Sequence, residues 1–196
     1  MPEFRIFTES KADVKFIGDY ISEHFGILLT GDDFDTLDSW SGYKAGGRID
    51  DSIQQNHDNG KQTILILDAD NNFTNRQAEV QRDFQGYDIP VHLFLFPDNN
   101  ANGNLENLLT EIAVERKLIN CFLSYEDCVW DYNLPLDKSR IYAYLDTLLP
   151  SESKTARNDL RKEENRNYRT AAHWDLNHEY LQPFYKFLSP FFIEPK

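Results

Sequence analysis

A chain of 196 residues with 40% apolar and 14% aromatic residues carries enough for a sizeable core and excludes wholesale disorder. Acidic residues outnumber basic ones 33 to 20, and the net charge of −13 excludes a global basic footprint for nucleic acid. No apolar run approaches the roughly 18 residues of a membrane helix, so no membrane partner is expected.

The start, MPEFRIFTES, lacks a basic segment followed by an apolar one, so no signal peptide is expected. Phe4 to Phe7 reads as a first strand, ended by Thr8-Glu9-Ser10. In ADVKFIGDYISEHF, Val14, Ile17, Ile21 and Phe25 recur at helical spacing. Ser10 is a natural cap for that helix, Asp13 falls in its first turn, and Gly26 is a stop. DFDTLDSWSGY is expected to hold a second strand and KAGG a turn. Arg48 to His57 reads as a polar helix closed by Gly60. QTILILDADNNF holds the clearest buried strand, Ile64 to Leu67 running into Asp68 and Asp70. Asn75 to Gln85 follows as a helix, Val91 to Phe96 as a strand, and Asn104 to Glu115 as a helix. Alternating strands and helices predict a parallel sheet with helices on both faces.

Beyond Lys117 the pattern becomes mostly helical. Cys121 and Cys128 are too few for a disulfide scaffold and lack zinc-ligand spacing, so both are expected as reduced thiols of a cytoplasmic protein. SRIYAYLDTLL is an amphipathic helix stopped by Pro150, and residues 154 to 169 are locally basic. The aromatic end, WDLNHEYLQPFYKFLSPFF, is expected to pack back on the core. Residues 1–117 are thus expected as the α/β core and 118–196 as a helical C-terminal extension.

In a parallel sheet, ligands bind beyond the carboxyl ends of the strands. Glu9 ends the first strand, Asp68 and Asp70 end the central one, and Asp13 stands one helical turn after Glu9. Four carboxylates at one sheet end repel each other unless a cation joins them. Mg²⁺, or Mn²⁺ in its place, suits such oxygen ligands and needs only one or two carboxylates plus substrate phosphates. Solvated strand-end acids and turn residues are the other reading that spacing alone leaves open. Arg48 after Gly46-Gly47 is a candidate phosphate contact, or an ordinary turn residue.

The ordered set Glu9-Ser10-Lys11-Ala12-Asp13, ILILDAD, and LFLFPDNNANGNLENLL with Gly103 and Glu106 resembles the TOPRIM domain. The nearer resemblance is to small TOPRIM-like proteins related to the overcoming-lysogenization-defect nucleases, and it extends through DKSRIYAYL and HWDLNHEYLQPFYKFL. It implies a TOPRIM/Rossmann-like three-layer sandwich and Mg²⁺-dependent phosphoryl transfer of nuclease type on phosphodiesters. By the resemblance, Glu9 is the general acid/base or a second-metal ligand, and Asp68 and Asp70 hold Mg²⁺. Asp13 and Glu106 complete a two-metal arrangement, and Lys138 offsets transition-state charge. Ser10 and Lys11 fall on the substrate side. Two departures stand out: Ser10 replaces the usual Gly, and Asn72 replaces a third acid found in some members. The alternative expectation is a non-catalytic metal- or nucleotide-binding module acting through a protein partner such as an ATPase. The charge of −13 favours that dependence, because the chain alone has little grip on nucleic acid.

Overall fold

The computed structural model describes residues 3–37, 48–84, 90–132, 134, 136–148, 155, 158 and 162–193, leaving out the side chains of 48–50. The described elements are β1 (Phe4–Thr8), α1 (Lys11–Phe25), β2 (Phe34–Thr36), α2 (Arg48–Asp58), β3 (Gln62–Asp68), α3 (Phe73–Phe84), β4 (Val91–Phe96), α4 (Leu105–Ile112), α5 (Arg116–Cys128), α6 (Asp137–Leu148) and α7 (Gln182–Phe192). The four strands form one all-parallel sheet in the order β2-β1-β3-β4. This is an α/β fold with a helical C-terminal end.

Alternate residues of each strand enter different cores, as the two-residue period of a strand requires. Ile6, Ile64, Ile66, Phe94 and Phe96 face one side, which α1, α4, α5, α6 and α7 cover. Phe7, Leu65, Leu67 and Leu95 face the other, against Ile53 of α2 and Val80 of α3. Burial on both faces explains why β3 reads as an unbroken aliphatic run. The chain moves from β1 outward to β2 through α1, then back across to β3 and β4 through α2 and α3. Right-handed crossovers then place α1 on one face and α2 and α3 on the other.

α1 begins where the sequence signals it. Ser10 accepts from the Asp13 N–H at 3.3 Å, and the Asp13 carboxylate accepts from the Ser10 N–H at 2.8 Å. Reciprocal capping of this kind satisfies two donors of the first turn that have no partner inside the helix. Gly26 ends α1 in the left-handed conformation at φ 68°. The expected second strand is β2, three residues long; the KAGG turn lies outside the described residues.

The expected helix from Asn104 to Glu115 stops at Ile112. A long-range pairing takes over there: Ala113 bridges Trp174, Val114 N–H donates to His173 O at 3.1 Å, and Asp175 N–H donates to Ile112 O at 2.8 Å. The Tyr144 hydroxyl fastens the same junction, donating to His173 O at 2.7 Å and accepting from Glu115 N–H at 3.2 Å.

The aromatic C-terminus does pack back. Phe184 of α7 lies within 6.0 Å, centroid to centroid, of Phe16, Tyr20, Phe94 and Phe96. Residues from beyond position 118 therefore share one core with the sheet. No helix among the described residues is long and apolar enough to cross a membrane.

Candidate functional site

β1 and β3 are neighbours, and the chain leaves them toward opposite faces: β1 into α1, β3 into α3. This divergence is the topological switch point, where a crevice opens beyond the strand ends. Glu9 follows β1 there, and Asp68 closes β3.

Asp68 is the hub of the site. Its Oδ1 accepts from the Leu105 N–H at 3.1 Å, the first residue of α4, so the positive end of that helix points at the carboxylate. Burial nonetheless drives the Asp68 pKa well above its ordinary value, and the charges of Asp13, Glu9, Glu106 and Asp70 push it further. Four of the five acids picked out by the sequence thus act on the fifth, Asp68.

Their individual situations differ. Glu9 is half-buried, and burial raises it from 4.5 to about 7; Arg76 opposes that rise and Asp70 adds to it. Its Oε1 is shielded from solvent and has no hydrogen-bond partner among the described residues. Asp13 is 3% exposed and rises from 3.8 to about 7, chiefly by burial, with Glu106 and Glu9 adding to it against its bonds to Ser10. Glu106 sits in the first turn of α4 and is also raised by burial, against the pull of Lys138 and Arg166.

Asp70 is different again. It adopts a left-handed backbone, φ 53°, and exchanges two backbone hydrogen bonds with Gly103, at 2.8 and 2.7 Å. Its Oδ2 is ion-paired with Arg76 Nη2. The Asp-x-Asp pair therefore does not point one way: Asp68 turns toward the α4 N-terminus and Asp70 toward α3.

Lys138, at the start of α6, is close enough to Glu106 for each to feel the other's charge. Burial alone would lower its pKa, yet Glu106, Glu163 and Tyr142 raise it overall. Its Nζ lies 3.5 Å from Glu163 Oε1. Two ties hold α6 against α4. Asn104, the α4 cap, donates to Asp137 at 2.9 Å, and Arg140 spans Glu126 of α5, at 2.9 and 2.7 Å, and the Thr110 hydroxyl, at 2.9 Å.

The remaining expected contacts lie elsewhere. Ser10 is committed to the α1 cap, and its φ of −143° is open to any residue, so glycine is not needed there. Lys11 is exposed and lines a groove between α1 and the β2 edge, with Lys15, Gly18 and Phe34. The Arg48 side chain lies outside the described residues. Asn72 caps α3, accepting from the Asn75 N–H at 3.0 Å, so it serves the helix start.

Sequence reasoning missed Arg76, Glu163 and Arg166. Arg166 is 2% exposed, bonds the Tyr168 hydroxyl at 3.3 Å, and has an unpartnered Nε. Its only signal was membership of a basic stretch. Among the described residues, no group of three or more His, Cys, Asp or Glu stands in a ready-made metal-ligand arrangement. The donors on hand that suit a hard cation are the Glu9 carboxylate and the free Asp68 oxygen. Such a pair is compatible with a cation that keeps most of its waters.

No family model, no curated protein and no solved structure matches the chain. The fold and site define a class in physical terms: a doubly wound α/β protein with buried carboxylates at its switch point.

Proposed function

We propose that this is a divalent-cation-dependent phosphoryl-transfer protein of nuclease type, in the TOPRIM class, acting on phosphodiesters. The observation that carries the reading is the concentration of Glu9, Asp13 and Glu106 around Asp68 at the switch point, with Glu9 Oε1 buried and, among the described residues, unpartnered. Burying carboxylates together is costly, and a bound cation relieves that cost.

Glu9 and Asp68 would hold Mg²⁺ or Mn²⁺. Such an ion, when bound, lowers the pKa of its water and stabilises the charge developing on phosphate oxygens. Where Glu9 serves as general acid/base instead of as a ligand, its pKa of about 7 suits it to accept and return a proton near neutrality. Lys138, within electrostatic reach of Glu106, would bring positive charge to the edge of the site.

A second reading, a metal- or nucleotide-binding module that works through a protein partner such as an ATPase, is favoured by a separate observation. Asp13 is committed to Ser10, and Asp70 to Arg76. Together with the charge of −13, this leaves fewer free ligands and a weak hold on nucleic acid.

The test combines Mn²⁺ binding with cleavage of labelled single- and double-stranded DNA and RNA, in wild type, Asp68→Asn and Glu9→Gln. The nuclease reading expects Mn²⁺ binding lost in Asp68→Asn and cleavage lost in both variants. Binding without cleavage selects the second reading. Absence of Mn²⁺ binding by the wild type refutes the nuclease reading and the metal-binding form of the second.

A further inference from the structure

Arg76 stands in an unusual place. It lies in the first turn of α3, where the helix N-terminus is already positive and a cation is disfavoured. Its side chain is nevertheless drawn in, 13% exposed, beneath an Asp70 carboxylate that is 54% exposed. One guanidinium nitrogen, Nη2, pairs with Asp70, and the other, Nη1, lies 3.5 Å from Glu79 Oε2, one turn further along the helix. The Arg76 charge is also the strongest influence opposing the upward shift of Glu9. The Asp70 backbone is fixed, because its left-handed conformation is clasped by Gly103 on both hydrogen-bonding groups.

We infer that Arg76 is the resident counter-cation of the acidic crevice: held there by Asp70, it gives way onto Glu79 when a divalent ion binds at Glu9 and Asp68. The inference rests on the metal-binding reading given above and adds to it a device within this chain. The Asp70 backbone is held by Gly103, and Arg76 already has a second carboxylate, Glu79, at 3.5 Å. The crevice is then never left with Asp70 uncompensated. Binding a divalent ion carries a built-in competition, which weakens the affinity and reserves the site for ions of high charge density.

The experiment measures free Mn²⁺ by electron paramagnetic resonance in titrations of wild type, Arg76→Met, Asp70→Asn and the double variant. Metal-free melting curves confirm that each is folded. Removing the competitor is expected to tighten Mn²⁺ binding about fivefold, which is about 1 kcal/mol at ~1.4 kcal/mol per tenfold. That gain should vanish when Asp70→Asn is the background, because the competition runs through Asp70. Arg76→Lys, which keeps the charge but not the fork, is expected to fall between wild type and Arg76→Met. Equal or weaker binding by Arg76→Met overturns the inference while leaving the metal site standing. A gain that survives in the Asp70→Asn background also overturns it, since it would then be a general charge effect. If neither wild type nor Arg76→Met binds Mn²⁺, the inference and the metal reading fail together.

Discussion

Replacing Asp13 by Asn removes a buried charge and keeps an oxygen that accepts from the Ser10 N–H. Asp13 is 3% exposed, so little solvent screening discounts the effect. Its pKa in the fold is about 7 against an ordinary 3.8, raised first by burial and then, against its Ser10 bonds, by Glu106 and Glu9. The folded chain therefore holds a proton that the unfolded chain releases between about pH 4 and 7. Stability from this group is complete below the lower value, falls as pH rises through that window, and levels off above it. At ~1.36 kcal/mol per unit, the full loss is about 4 kcal/mol. The amide of the Asp13→Asn variant does not titrate and should escape that loss. In EDTA, thermal melts followed by circular dichroism should show a small gap at pH 4. By pH 8 the variant should be more stable by about 2–4 kcal/mol, or roughly 4–16 °C for a chain of this size. Asp13→Ala, which also loses the cap bond, should gain about 1 kcal/mol less than Asp13→Asn. A gap independent of pH, or an Asp13→Asn variant less stable than wild type at pH 8, would refute the claim that burial and like charge dominate at this position.

Three further outcomes are expected. Arg140→Leu strands the Glu126 carboxylate and takes one donor from the Thr110 hydroxyl, which keeps its bond to Glu106 O, and urea unfolding should show a loss of about 3–5 kcal/mol. Gly103→Ala would place a Cβ 2.6 Å from Asn107 Oδ1 at a φ of 134°; with that strain it should lose about 1–3 kcal/mol in the same assay. Gly18→Ala meets nothing within 4 Å inside α1, so it should gain roughly 0.4–1 kcal/mol, and a loss would mean that the position has a hidden steric demand.

Much of the fold was legible because local signals and burial agree. β3 is aliphatic throughout its middle, being covered on both faces, and α1 carries its cap, its periodicity and its stop in one stretch. The end of α4 was not legible, since residues 104–115 read as one helix. What cuts it at Ile112 is strand-like pairing with residues some 60 positions later, which no local pattern encodes. In the candidate site, the approach of Glu9 and Asp13 to Asp68 followed from strand order and helix spacing, whereas Glu106 was reached only through the family resemblance. The parting of Asp68 from Asp70 did not, because it depends on one left-handed residue and its clasp by Gly103. Asn72 looked like a missing acid in the sequence; its observed job is to start α3.

The ring of Phe184 among Phe16, Phe94 and Phe96 also bears on how the chain is made. β4 ends at Phe96 and α7 at Phe192, so the sheet leaves the ribosome well before the helix that seals one of its faces. At ~5–20 residues per second, that interval lasts roughly 5–20 s. For that time the nascent protein shows water an aromatic surface, a natural substrate for a chaperone. Pulse-labelled ribosome-bound chains arrested before residue 182 should carry such a chaperone, and released full-length chains should have shed it.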